Sequence, residues 1–469
     1  MAADKPARPG KGGRKKKKTT SSMALPLMRP NAAGIDIGAE EIWVAVPADR
    51  DEHPVRRFRS FTGDLRAIAA WLQDCRIDTI VMESTGVYWI PLFQILADGG
   101  FEVCLVNARH YKNVAGRPTD AGDCQWLQYL HSVGLVKGSF RPEQGICAVR
   151  SLLRHRESLV HAMTKLVLHL QKSLDQMNLK IHYVLSDVMG VSGLAILDAI
   201  VAGERDPEQL AKLRNKLVRA SEPEVIQALE GDYRPEHVFI LAQCLRMFRA
   251  HQEEIDQLDR EMEQFMMSLP AREPAAGVTA PERPWKRQHR APAFDLRQQC
   301  FRLAGVDLTE VPGIEATTAH VLLTEIGPDL QAFPNASAFC SWLGLCPHNE
   351  ISGGKILASR TRRCKHRAAL ALRLGAQAMH HSQTSLGHHL RRMKSKLGAS
   401  AAITATAHKM ARIVYHMLTT KEPYREQVSE AQQRRQQQRT LARLKAAASA
   451  SGYQLIPIEP MPANEELVH

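Results

Sequence analysis

Gly34-Ile35-Asp36-Ile37-Gly38 is the stretch whose reading decides the fold. An acid among small and β-branched residues marks the end of a buried strand, where desolvating a carboxylate costs several kcal/mol unless a cation or donor compensates it. After a turn at Ala39-Glu40-Glu41, residues 42–46 (Ile-Trp-Val-Ala-Val) form a hairpin partner. Thr79-Ile80-Val81-Met82-Glu83 repeats the arrangement, an apolar strand ending in an acid, with Ser84-Thr85-Gly86 as the turn. A third acidic site, Thr119-Asp120-Ala121-Gly122-Asp123, opens a helical pattern carrying Trp126, Leu127 and Leu130. Spacing of three puts Asp120 and Asp123 on one helical face. Acids at two strand ends and on one helix suit a hard cation, which takes oxygen ligands. The pattern predicts a metal-dependent phosphoryl-transfer centre.

Working outward, strands are expected at 33–37, 42–46, 55–61, 79–83 and 101–106. Helices are expected at 65–75, at 89–96 and from Asp120 to about Val133. A hairpin followed by alternating strands and helices indicates a three-layer α/β domain with a mixed sheet. Residues 1–30 form a basic lead containing Lys15 to Lys18, read either as a polyanion contact or as a solvated tail. From 143 to 179, Leu152, Leu159, Met163, Leu166, Leu170, Leu174 and Met177 keep near-heptad spacing, the mark of a long packing helix. A second long helix is expected over 238–269, and the two together form an antiparallel stalk. Residues 270–298 hold a Pro- and Arg-rich linker. Val311-Pro312-Gly313-Ile314 resembles a helix-hairpin-helix turn, but Glu315 stands where a second glycine is usual, which favours packing over phosphate contact.

The chain has 469 residues, a net charge of +13 and a pI near 9.4. This lopsided positive charge points to a polyanionic partner, nucleic acid before membrane. No apolar run approaches the roughly 20 residues of a membrane span. The N-terminus lacks an apolar signal core before Met23, so secretion is not expected. Nine cysteines without a CxxC pair are read as reduced thiols of a cytoplasmic protein.

The order Gly-Ile-Asp-Ile-Gly, Glu-Ser-Thr-Gly-Val-Tyr, Thr-Asp-x-x-Asp resembles the DEDD-type transposases of one insertion-sequence family, the one-ten/eleven-eleven group. The resemblance implies an α/β RNase H-like (RuvC-like) mixed-sheet domain at 31–142. It also implies a helical coiled-coil domain at 143–269, a mainly α-helical C-terminal transposase domain at 299–421, and a tail at 422–469. It makes Asp36, Glu83, Asp120 and Asp123 the ligands of one or two Mg²⁺ ions. In the same family a Gly-Leu-x-Pro segment precedes a Ser-Gly loop. Here Gly344-Leu345-Cys346-Pro347 precedes Ile351-Ser352-Gly353-Gly354-Lys355, which implies Ser352 as the nucleophile, with Ser359 as the alternative. The basic residues Lys355, Arg360, Arg362, Arg363, Lys365 and Arg367 are the expected nucleic-acid contacts. The implied activity is DNA strand exchange through a phosphoserine, guided by a bridge RNA, in a cytoplasmic, nucleoid-associated homo-oligomer of two or four copies. Two rivals stay open: a junction nuclease that uses water, and a non-catalytic nucleic-acid-binding protein.

Overall fold

The computed structural model describes residues 25–107, 120–282, 290–362, 364, 366–426 and 430–456. Within these stretches, the side chains of 120–121, 430–437 and 439–440 lie outside the description. The chain divides into two compact units, Met1–Phe140 and Arg141–His469.

The first unit is built on β1 (Ala32–Ile37), β2 (Glu41–Ala45), β3 (Val55–Arg59), α1 (Thr62–Asp74), β4 (Thr79–Glu83), α2 (Trp89–Asp98), β5 (Glu102–Val106) and α3 (Asp120–Ser132). Its five strands lie in the order β3-β2-β1-β4-β5. β1, β2 and β3 pair antiparallel, while β4 pairs parallel with both β1 and β5. The β1–β2 turn is tight: the Gly38 N–H donates to the Glu41 carbonyl at 2.9 Å, and a Cβ on Gly38 would lie 2.8 Å from that oxygen.

Period-two alternation divides the buried strand residues between two helical layers. Ile35, Ile37, Ile80 and Met82 pack with Ile68, Leu72, Leu92 and Leu96 of α1 and α2. Each such side chain, fully buried, is worth roughly 2 kcal/mol relative to exposure. Val81 and Val106 turn the other way, onto Leu127 and Leu130 of α3. The three-layer mixed-sheet domain expected from the residues is the architecture found.

The second unit begins with α4 (Gln144–Gln176), α5 (Ile181–Val184), α6 (Val191–Ala202), α7 (Pro207–Lys212), α8 (Glu222–Leu229) and α9 (Pro235–Ser268). α4 and α9 run antiparallel: a Cβ on Gly145 would meet Leu269, Arg156 pairs with Asp259, and Leu174 shares a core with Leu241. Between them, α5 to α8 close a second core around Leu197, Ile200, Leu210 and Leu229.

The remainder comprises α10 (Leu296–Ala304), α11 (Ala316–Ile326), α12 (Ala336–Trp342), β6 (Pro347–Ser352), β7 (Lys355–Thr361), α13 (Arg367–Ala378), α14 (Ser385–Leu397), α15 (Ala399–Thr420) and α16 (Glu430–Ala450). The Val311–Ile314 turn packs inward. A Cβ on Gly313 would lie 2.6 Å from the Gly375 carbonyl, and one on Gly375 would lie 2.4 Å from the Gly313 carbonyl. This is a backbone contact with α13 that only glycines allow. Among the described residues no helix is long and apolar enough to cross a membrane.

Candidate active site: strand-end carboxylates and a serine-tipped hairpin

Register brings two of the expected acids to neighbouring strand ends. Gly34 pairs with Val81 and Ile35 with Met82 across the parallel β1–β4 ladder, and Asp36 and Glu83 each directly follow that last pair. Both project toward α3. Asp36 shares its face with Gly34, whose missing side chain makes room for the helix: a Cβ there would lie 2.3 Å from the Cys124 carbonyl and 2.4 Å from the Gln128 nitrogen. Glu83 shares its face with Val81, which packs on Leu127. Asp123 sits in the first turn of α3, on the layer that covers these strand ends.

The carboxylates differ in burial. Asp36 is half-buried, whereas Glu83 and Asp123 are 7% and 8% exposed. The Thr85 hydroxyl donates to Glu83 Oε1 at 3.0 Å, fixing that carboxylate from the turn after its own strand. The gathered negative charge registers on the buried thiol nearby. Burial first, then Asp36 and more weakly Asp123, push Cys124 up to about 12. Asp36 and Asp123, 87 positions apart by their numbers, therefore act on one point.

Asp120 opens α3, but its side chain lies outside the description. Among the described residues no set of three or more His, Cys, Asp and Glu closes into an ion cage. The donor set of Asp36, Glu83 and Asp123 is all carboxylate oxygen, which fits a hard divalent cation rather than zinc or copper. The absent side chain of Gly34 lets α3, which carries Asp123, pack closely against β1, which carries Asp36.

Ser352 belongs to the second unit. It is the last residue of β6 and pairs with Lys355, the first of β7. Gly353 and Gly354 between them have φ of +55° and +78°, as a two-residue primed turn demands. The expected Ser-Gly loop is thus the tip of a β-hairpin, whose β6 residues are all exposed. Alternation gives the hairpin two faces. His348, Glu350 and Ser352 share one with Arg360, Ala358 and Lys355, while Asn349 and Ile351 share the other with Ser359 and Ile356. Ser359 donates to Asn349 Oδ1 at 2.7 Å.

Lys355, Arg360 and Arg362 are exposed, while Arg363 and Lys365 lie outside the described residues. Arg367 is engaged internally: it pairs with Glu157 and stands 3.5 Å from Glu325. Glu325, only 6% exposed, also receives Arg154 at 2.8 Å and Arg150 at 3.7 Å. Sequence reading missed this knot, because Glu325 sits inside an apolar helical pattern with nothing local to mark it. It likewise missed the pairing of Lys355 with Ser352, although the Gly-Gly dipeptide between them is a hairpin signal.

The mixed sheet of order β3-β2-β1-β4-β5, with acids at adjacent strand ends, is compatible with an RNase H-like unit. Residues 33–179 match the family model for DEDD-type transposases, and residues 307–389 match the model described as Transposase IS116/IS110/IS902 family. In both matched segments the chain is similar to transposases of the IS110 family. A Sinorhizobium fredii protein named "Putative transposase y4pF/y4sB" is 31% identical over 135 residues, 27% of this chain and 34% of that relative. The match thus spans about a third of the curated relative's length.

Proposed function

We propose that this protein is a DNA transposase that cuts and rejoins strands of an insertion element through a serine-linked phosphodiester. The observation that carries the proposal is the adjacent placement of Asp36 and Glu83 at parallel strand ends, facing the helix that bears Asp123. Carboxylate oxygens are the ligands that a hard divalent cation takes. With Asp120, these residues would hold one or two Mg²⁺ ions. When bound, the metal supplies Lewis-acid polarisation of a phosphodiester and stabilises the departing oxygen.

Ser352 is the nucleophile of this reading. Its Oγ forms a bond to phosphorus while the bond from phosphorus to one deoxyribose oxygen breaks. The hydroxyl gives up its proton, and the leaving oxygen takes one. The number of phosphoester bonds is unchanged, so rejoining needs no outside energy. Lys355 lies directly across the hairpin from Ser352, and Arg360 is on the same face. These cations would grip the non-bridging oxygens and offset charge that grows on them. The flanking glycines leave open space around the tip, so a duplex can approach the hydroxyl.

On the family resemblance alone, the proposal extends to a guide RNA that chooses sites by base pairing, and to an assembly of two or four copies. The test uses the full chain, Mg²⁺ and duplex DNA spanning the joined ends of the element. Wild-type protein should yield a denaturation-resistant protein–DNA adduct, absent from Ser352→Ala and from Asp36→Asn. An adduct that survives Ser352→Ala would move the nucleophile elsewhere, with Ser359 next. Cleavage without any adduct would favour hydrolysis by water.

A further inference from the structure

The hairpin tip carries a feature that the serine chemistry does not use. Ile351 and Ile356, directly opposite one another one rung from the turn, are 64% and 60% exposed. Leu357, the extra residue where the register slips, is 70% exposed. Bare apolar side chains on a two-stranded ribbon with two open edges are an aggregation hazard, which proteins ordinarily blunt with charge. Here the charge is on the opposite face. That face holds Lys355, Arg360 and His348, with Glu350 as its carboxylate.

We propose that the β6–β7 hairpin enters a DNA duplex as an arm, its basic face on the phosphates and the Ile351–Ile356 pair wedged between base pairs. The inference rests on the reading of this protein as a DNA strand-transfer enzyme and adds the way its serine reaches the backbone. Two-stranded ribbons enter DNA grooves, and isoleucine is among the side chains that unstack a base step when inserted from the minor groove. Charge favours DNA as the occupant, because cations of the hairpin flank the apolar tip and Arg362 follows directly. Opening a base step kinks the strand and turns the adjoining phosphate outward. Ser352 is one residue from Ile351, on the opposite face, so it would meet the phosphate beside the opened step.

The test reads DNA twist. Full-length protein is bound to relaxed closed-circular plasmid carrying the joined element ends, a type I topoisomerase is added, and topoisomers are resolved after protein removal. Wild-type protein should shift the linking-number distribution toward unwinding. Ile351→Ala/Ile356→Ala should lose the shift while still retarding the same DNA in a gel, and Ile351→Leu/Ile356→Leu should restore it. Circular dichroism melting checks that these exposed substitutions leave the fold intact. Ser352→Ala should keep the shift while losing the covalent adduct, so failure of the nucleophile assignment and failure of the wedge give different results. The inference is overturned if the double alanine variant keeps the shift or if wild-type protein produces none. It is also overturned if the alanine pair abolishes self-association in sedimentation while leaving the shift unchanged, which would make the tip a protein contact.

Discussion

Asp36 is an acid in a strand that is otherwise buried, and Gly34 two residues earlier makes room for α3 on the same face. Because the atoms that a Cβ at Gly34 would strike are backbone atoms of α3, no rotamer change relieves the clash. Gly34→Ala should therefore destabilise the first unit by about 3 kcal/mol, the upper end of an overpacked core. A lowered urea midpoint for that unit's transition in the full chain would register the loss. His131 is a second residue whose burial has a measurable consequence. It is fully buried against Thr79 Oγ1 at 2.9 Å, and burial, then Arg29, hold it down to about 4 from 6.5. The folded ring stays neutral while the unfolded chain binds a proton below about pH 6.5. Its contribution is thus complete above that pH and is lost as pH falls toward 4, on the order of 1–2 kcal/mol by pH 5. Unfolding of His131→Gln at pH 7 and pH 5 should show a smaller drop than wild type. At this scale the placing of Asp36 and Glu83 near the ends of buried strands was legible, since an acid closing an apolar strand stands out from its neighbours. Glu325 could not be read, because its three arginine partners come from residues 150, 154 and 367 and meet only in the folded unit.

Elements with a repeating apolar face were legible, and those without one were not. The Leu/Met spacing over 143–179 yields α4, and its antiparallel partner α9 appears where a second periodic stretch was expected. The β6–β7 hairpin has no face turned to a core, so its residues alternate without the apolar rhythm that marks a strand. Proline content led residues 270–298 to be read as a tether, yet Ala291 and Phe294 are buried there. One buried ion pair contacts this segment directly. Arg156 meets Asp259 in bidentate geometry at 2.5 and 3.1 Å, donates to the Arg290 carbonyl at 3.0 Å, and Asp259 accepts from the Ala293 N–H at 3.0 Å. Both side chains are almost wholly buried. Asp259→Asn should cost about 3 kcal/mol or more, the usual result of leaving a buried arginine unpaired. Limited trypsin digestion should then cut after Arg290 faster than in wild type. Unchanged cutting would show that this segment is held by other contacts.

Across the whole molecule, the proposed chemistry is divided between two units: the acids lie in the first and Ser352 in the second. The positive balance of +13 suits a polyanion, so DNA affinity should fall steeply with salt as bound counterions are released. Gel retardation from low to physiological salt measures that slope, and a flat response would argue against phosphate-led binding. The claim beneath all of this is that carboxylates far apart in the chain share one divalent ion. Iron(II) with ascorbate and peroxide reports it directly, because hydroxyl radicals cut the polypeptide beside the bound metal. Cuts should cluster near Asp36, Glu83 and residues 120–123, fade when Mg²⁺ competes, and disappear in Asp36→Asn. Cuts spread elsewhere, or an unchanged pattern in Asp36→Asn, would contradict the shared ion.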